Sequence, residues 1–236
     1  MSIERLKEIL DGSDNIVFFG GAGVSTESNI PDFRSANGLY SEKTKCSYSP
    51  EEILSHSFFM KNTEEFYKFY KSKMIYKDAQ PNHAHIALAK LEKEGKLKAI
   101  ITQNIDGLHQ MAGSRNVLEL HGSIHKNRCM KCNKFFNLDY VVNSIGIPKC
   151  DHCQGIVKPE VVLYEESLDS KILEDSIDYI SNAEVFIIGG TSLSVYPASG
   201  LVSYYRGNKL ILINKTQTPY DDKANLVIHG SIGEIL

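Results

Sequence analysis

Four cysteines fall in two pairs of Cys-x-x-Cys spacing, Cys129-Met130-Lys131-Cys132 and Cys150-Asp151-His152-Cys153, separated by residues 133–149. Two such turns can surround one Zn2+ tetrahedrally, and a closed four-thiolate shell leaves no coordination position open to a reactant. A structural zinc ion held by Cys129, Cys132, Cys150 and Cys153 is therefore expected, with a redox Cys-x-x-Cys as the competing reading. Cys46 stands alone and reads as a buried or neutral thiol.

The second chemical feature is a glycine turn. Val17-Phe18-Phe19 runs into Gly20-Gly21-Ala22-Gly23, as a buried parallel strand enters a phosphate-binding turn. Gly21-Ala22-Gly23-Val24-Ser25-Thr26 approaches the Gly-x-Gly-x-x-Gly fingerprint, with Thr26 in place of the third glycine. Two glycines let the backbone turn sharply beside a pyrophosphate, whose charge meets free N–H groups where a helix starts. No acidic residue ends a strand ~20 residues on, which argues against a hydride-transferring dehydrogenase. A tight turn without ligand is the alternative. His121 closes the run Val117-Leu118-Glu119-Leu120 and, with an ordinary pKa near 6.5, suits proton abstraction near neutral pH. Asn104 and Asp106 follow another apolar run. Taken singly, the histidine could be structural and the Asn-x-Asp a turn former.

Elements must hold these groups together. Strand cores are expected at Val17-Phe18-Phe19, Ala99-Ile100-Ile101-Thr102, Val185-Phe186-Ile187-Ile188 and Leu210-Ile211-Leu212-Ile213, each ending in glycine or polar residues. Alternating with helical stretches, they predict βαβ units and a mostly parallel sheet whose strand ends converge on one crevice. Helical spacing marks Glu52-Ile53-Leu54, residues 65–70, and residues 84–93, which Gly95 stops. From His125 to about Val157 cysteine, lysine and asparagine replace the apolar runs, as in an insertion with its own stabilising device.

Composition bounds the function. Hydrophobic residues make up 42% and charged residues 23%, as in globular proteins, and the net charge of −3 disfavours a general nucleic-acid binder. Apolar runs such as Ile16-Val17-Phe18-Phe19 are too short for a bilayer core of roughly 30 Å. No charged n-region with an apolar h-region follows Met1, so a cytoplasmic chain is expected, in which paired cysteines are metal ligands.

Several motifs in order then resemble the sirtuin family: Gly21-Ala22-Gly23-Val24-Ser25-Thr26-Glu27-Ser28 with Asn29-Ile30-Pro31-Asp32-Phe33-Arg34-Ser35, Thr102-Gln103-Asn104-Ile105-Asp106-Gly107-Leu108-His109, Glu119-Leu120-His121-Gly122, the cysteine quartet, Lys158-Pro159, Gly189-Gly190-Thr191-Ser192-Leu193 and Ile213-Asn214. The resemblance implies an α/β protein: a Rossmann-like, mostly parallel NAD-binding domain over residues 1–34, 78–124 and 158–236, and a smaller zinc-binding domain made of a helical insertion over 35–77 and a zinc-binding module over 125–157. It implies NAD-dependent removal of an acyl group from lysine. The acyl oxygen attacks C1′ of the nicotinamide ribose, nicotinamide leaves, and the resulting imidate is resolved through a ribose hydroxyl and water to free lysine and O-acyl-ADP-ribose.

By resemblance, His121, Asn104 and Asp106 are catalytic. NAD contacts fall to Gly21, Ala22, Gly23, Thr26, Asp32, Phe33, Arg34, Gln103, Asn104, Ile105, Asp106, His121, Gly190, Thr191, Ser192, Asn214, Lys215 and Ile232. Val161, Val162, Leu163, Tyr164, Glu165 and Tyr196 would meet an acyl-lysine peptide. A monomer without nucleic-acid or membrane partners is expected. Mono-ADP-ribosyl transfer and a non-catalytic NAD or ADP-ribose sensor are the alternatives.

The chain departs from the family pattern in three places. Tyr164-Glu165-Glu166 replaces the usual Phe-Gly-Glu, so backbone pairing with a peptide should persist while two carboxylates favour lysines in basic surroundings. Tyr67-Lys68-Phe69-Tyr70 lacks the arginine of the Tyr-x-x-Arg pair that holds succinyl or malonyl groups, so an uncharged acyl group is expected unless Lys68 or Lys71 points inward. The family usually continues into a final helix beyond Gly233-Glu234-Ile235-Leu236, which sets Ile232, near the adenine by resemblance, close to the chain end.

Overall fold

The computed structural model describes residues 2–33, 38 and 48–236. Six parallel strands form the main sheet: β1 (Ile16–Gly20), β2 (Leu97–Thr102), β3 (Val117–Glu119), then, after the small lobe's strands β4 (Gly122–Cys129), β5 (Phe135–Phe136) and β6 (Val157–Val161), the strands β7 (Val185–Gly189), β8 (Leu210–Asn214) and β9 (Leu226–His229). Their spatial order is β3-β2-β1-β7-β8-β9. Without the small lobe this is the doubly wound order 3-2-1-4-5-6, and its direction of winding reverses between β1 and β7. Ligands of such sheets bind at that reversal, outside the carboxyl ends of the strands.

All four strand cores expected from the apolar runs are present. The short edge strands β3 and β9 are additions, too brief to show a period of their own. Both faces of the sheet are covered, which is why its central strands read as continuous apolar runs. Ile16, Phe18, Ile100, Ile187 and Ile211 pack on one face, where α1 (Ser2–Asp11) contributes Leu6 and α5 (His83–Lys93) contributes Ala84 and Leu88. Val17, Phe19, Ile101, Phe186, Ile188 and Leu212 pack on the other, against Ile180 of α8 (Ser170–Asn182) and Ala198, Leu201 and Val202 of the 3-10 segment Ala198–Tyr204. Asn82 caps α5, its Oδ1 accepting from the Ala84 N–H at 3.0 Å, and Gly95 stops the chain just beyond at φ +76°.

The small lobe joins two separated stretches around one core. Helices α2 (Pro50–Ile53), α3 (His56–Lys61) and α4 (Thr63–Lys73) bring Ile53, Phe58, Phe59, Phe66, Tyr67 and Tyr70 against Ile124, Phe136, Val141 and Val157 from the antiparallel sheet β5-β4-β6 and α7 (Leu138–Asn143). The Tyr67 hydroxyl donates to the Val157 carbonyl, tying α4 to β6. No helix among the described residues is long and apolar enough to cross a membrane.

Candidate active site

At the winding reversal the ends of β1 and β7 interlock through glycine. A Cβ on Gly23 would lie 2.8 Å from the Gly190 Cα, and one on Gly21 2.8 Å from the Thr191 Cβ. Gly190 adopts φ +61° and abuts the Val24 N–H. The Gly21 and Gly23 N–H groups donate to the carbonyls of Gly189 at 3.3 Å and Gly190 at 2.8 Å. The chain then enters two 3-10 segments, Ala22–Val24 and Thr26–Ser28, rather than the α-helix that the fingerprint led one to expect. Thr26, in the third glycine's place, turns its hydroxyl onto the Gly23 carbonyl at 3.0 Å and tightens that turn. Glycine is required at these positions because the ends of β1 and β7 pack backbone against backbone, where a Cβ would collide with Gly190 or Thr191.

The end of β2 supplies the polar cluster. The Ser25 hydroxyl, 1% exposed, donates to Asp106 Oδ2 at 2.7 Å and accepts from Asn104 Nδ2 at 3.0 Å. Asp106 Oδ1 accepts from the Leu108 N–H at 2.9 Å, at the start of α6 (Leu108–Met111). Burial holds the Asp106 carboxyl above its ordinary range, against the pull of the Leu108 and Ser25 bonds. Gln103 bridges to β7, its Nε2 donating to Thr191 Oγ1 at 3.1 Å. Ser25 was visible beforehand only as a letter of a motif. Its role depends on Asp106, 81 positions away.

His121 sits between β3 and β4, its Nδ1 3.0 Å from the Gln103 carbonyl. A carbonyl only accepts, so Nδ1 carries the proton and Nε2 presents a lone pair. Burial lowers the His121 pKa, opposed in part by that carbonyl. The result is a neutral imidazole with a fixed tautomer, an arrangement suited to a general base. Its carbonyl accepts from the Val162 N–H at 2.9 Å, which ties the base to the segment after β6.

That segment runs along the helices of the small lobe. Tyr164 donates its N–H to Leu54 at 3.0 Å and accepts from the His56 N–H at 2.9 Å. Both acidic side chains are engaged within the chain. Glu165 accepts from the Ser57 N–H and hydroxyl at 2.8 and 2.9 Å, and Glu166 from His56 Nδ1 at 2.9 Å, the Leu163 N–H at 2.9 Å and Lys158 Nζ at 3.1 Å. Glu166 is thus paired with a cation, while Glu165 is bound only by neutral Ser57 donors and stays exposed.

The other expected contacts are spread around this centre. Val161 and Leu163 are buried with the small-lobe core, against which Phe33 and Ile105 pack, while Asp32 is half-buried in the turn before them. Arg34 lies outside the described residues. The Ser192 hydroxyl pairs with Ser194 at 2.7 Å, and Tyr196 is 78% exposed. At the end of β8, Asn214 Nδ2 donates to the Thr216 carbonyl at 2.9 Å, and Lys215 is exposed. Ile232, in α9 (Ile232–Ile235), is buried against Gly189.

The cysteine quartet meets in one place. The four sulfurs lie within 4.8 Å of one another, Cys129 to Cys153 at 3.4 Å and Cys132 to Cys150 at 3.6 Å. A tetrahedron of thiolates with bonds near 2.3 Å requires separations of about 3.8 Å. The set fits one zinc ion. Gly155 allows the approach, since a Cβ there would lie 2.8 Å from the Cys129 sulfur. His121 and Cys129 flank the two ends of β4, so the cysteine cluster lies at the far end of that strand from the histidine.

A doubly wound sheet with meshed glycine turns at its reversal, a half-buried neutral histidine at the end of β3 and a lobe carrying a four-cysteine cluster defines an α/β protein of the dinucleotide-binding type. The model of the Sir2 family matches residues 21–197, and the chain belongs to that family. It is 65% identical over 234 residues to an NAD-dependent protein deacetylase of Clostridium tetani, covering 99% of this chain and 95% of that one. It is 62% identical over 235 residues to the enzyme of the same description from Clostridium perfringens, covering 99% and 96%. Among solved structures, it matches a variant of a Sir2 enzyme with deacetylated p53 peptide and 3′-O-acetyl ADP ribose at TM-score 0.89 and 38% identity, covering 99% of this chain and 95% of that one. It also matches a Sir2 enzyme with p53 peptide and NAD+ at TM-score 0.86 and 38% identity, with the same coverage.

Proposed function

We propose that this chain is an NAD-dependent protein-lysine deacetylase that transfers the acyl group of a modified lysine to ADP-ribose and releases nicotinamide. The observation that carries the reading is His121: a half-buried neutral imidazole whose Nδ1 is committed to the Gln103 carbonyl, which leaves Nε2 as the basic nitrogen. The NAD-dependent deacetylase description of relatives 65% identical along the whole chain supports it.

When bound, NAD supplies a ribose carbon that gives up nicotinamide and the ribose hydroxyl that takes up the acyl group. Gly21, Ala22, Gly23, Thr26, Thr191 and Ser192 hold its pyrophosphate at the glycine turns. Asn214, Lys215 and Ile232 serve the adenosine end. Asn104 and Asp106, pre-oriented by Ser25, fix the nicotinamide side together with Gln103 and Ile105, and Asp32, Phe33 and Arg34 cover it from water. His121 Nε2 takes the proton from a ribose hydroxyl. Cys129, Cys132, Cys150 and Cys153 would hold a structural zinc ion that keeps the module over residues 125–157 together.

Val161, Val162, Leu163, Tyr164 and Glu165 take the acyl-lysine peptide through main-chain pairing, together with the exposed Tyr196. An uncharged acyl group suits the pocket. Lys68 is exposed and paired with Glu64 and Glu65, and Lys71 Nζ donates to the carbonyls of Ser144 and Gly146. The protein acts as a cytoplasmic monomer without nucleic-acid or membrane partners, consistent with its net charge of −3.

The test is nicotinamide release from NAD with and without an acetyl-lysine peptide, in the wild type and His121→Ala. Peptide-dependent release that falls steeply in the variant supports the reading. Release that ignores the acyl group points to ADP-ribosyl transfer, and NAD binding without release to a sensor.

A further inference from the structure

Where the family pattern has glycine, this chain places a glutamate in a conformation that favours glycine. Glu165 adopts φ +74°, in the left-handed region where a side chain crowds the following carbonyl. The side chain makes two bonds that glycine cannot. Its carboxylate accepts from the Ser57 N–H at 2.8 Å and the Ser57 hydroxyl at 2.9 Å. Ser57 lies in the first turn of α3, where backbone N–H groups lack intrahelical acceptors.

The clamp sits at a junction. Residues 162–166 are held at one end by the Val162 N–H on the His121 carbonyl and at the other by the main-chain bonds of Tyr164 with Leu54 and His56. The next residue, Glu166, fastens the same turn to Lys158 and His56. Neither the Glu165 N–H nor the Val162 carbonyl has a backbone partner among the described residues. The segment therefore offers main-chain groups to an added strand while its side chains grip the small lobe. An edge presented in advance binds an extended peptide more tightly than one ordered on binding.

We propose that Glu165 is a positioning residue: by clamping Ser57 it holds the segment 162–166 in the form that pairs with the peptide backbone, and so sets peptide affinity without touching the acyl group or NAD. This rests on the deacetylase reading above. It assigns the side chain to the protein's own scaffold rather than to recognition of charge on the substrate.

The experiment measures nicotinamide release by the full-length wild type, Glu165→Gly, Glu165→Gln and Ser57→Ala, varying acetyl-lysine peptide at saturating NAD and NAD at saturating peptide. Glycine takes φ +74° without strain, so Glu165→Gly removes the clamp and leaves the turn. Its KM for peptide should rise about 3- to 10-fold, the size expected for one exposed charge-assisted hydrogen-bond pair, with kcat and the KM for NAD within about twofold. Glu165→Gln and Ser57→Ala each keep one bond and should fall between. An unchanged peptide KM in Glu165→Gly overturns the proposal. So does a parallel loss of kcat and NAD affinity, which is the mark of a loosened fold. Failure of the deacetylase reading itself looks different, because then the wild type shows no peptide-dependent release at all, and the proposal falls with it.

Discussion

Replacing Ser25 by alanine removes a hydroxyl that serves two site residues at once. In the wild type it donates to the Asp106 carboxyl at 2.7 Å and accepts from the Asn104 amide at 3.0 Å, in a position 1% exposed to solvent. No water can easily replace it there. A hydrogen bond to a charged group contributes about 1.5–3 kcal/mol, so a loss of that size is expected, or roughly 3–12 °C in Tm for a chain of this length. The loss should depend on pH. Burial already holds the Asp106 carboxyl high, and the Ser25 bond is one of the two that pull it down. Without it the ionised form is disfavoured further, so the deficit is full at high pH, where Asp106 is charged, and shrinks as pH falls through its titration. Thermal melts of wild type and Ser25→Ala in buffers from about pH 8 down to about pH 4.5 measure this directly. A deficit that is the same at every pH, or no deficit, would refute the claim that Ser25 stabilises the charge on Asp106.

Three further outcomes follow from the geometry. The acid limb of kcat/KM should have its midpoint below 6.5, because burial lowers His121 and the neutral form is the base; a limb at or above about pH 7 would contradict the neutral-imidazole assignment. The buried pair His85 and His109, held at about 4 and about 3 by desolvation, lies too low to produce a limb near 6. Stripping zinc with a chelator should unfold the β5-β4-β6 lobe while the main sheet stays protected, and hydrogen exchange that is unaltered along β4 and β6 after verified metal loss would count against a structural zinc. On one peptide sequence, acetyl should be removed faster than succinyl, since Lys68 and Lys71 are committed elsewhere; faster desuccinylation would show that one of them turns inward.

Much of this was present in the order of residues. Continuous apolar runs ending in glycine (β1, β7) or in polar residues (β2, β8) marked four strands, because a strand covered on both faces needs no alternation. The cysteine spacing gave the metal cluster, because two tight turns are enough to present four thiolates. Such signals are local: they state what a few neighbouring residues can do.

Packing decided the rest. Thr26 beside the Gly23–Gly190 mesh produced 3-10 turns where the motif alone suggested an α-helix, since Gly190 already occupied the space against Val24. That the helices near residues 50–73 and the cysteine module belong to one small domain came from the family resemblance, and packing shows how: Phe59, Tyr67, Cys129 and Val157 share one core. The proton on His121 Nδ1 depends on a carbonyl 18 positions away, the charge on Asp106 on a hydroxyl 81 away, and the clamp on Glu165 on a serine 108 away. No periodicity or spacing encodes such pairs, because each partner is chosen by the sheet order and lobe packing that bring distant segments within hydrogen-bonding reach.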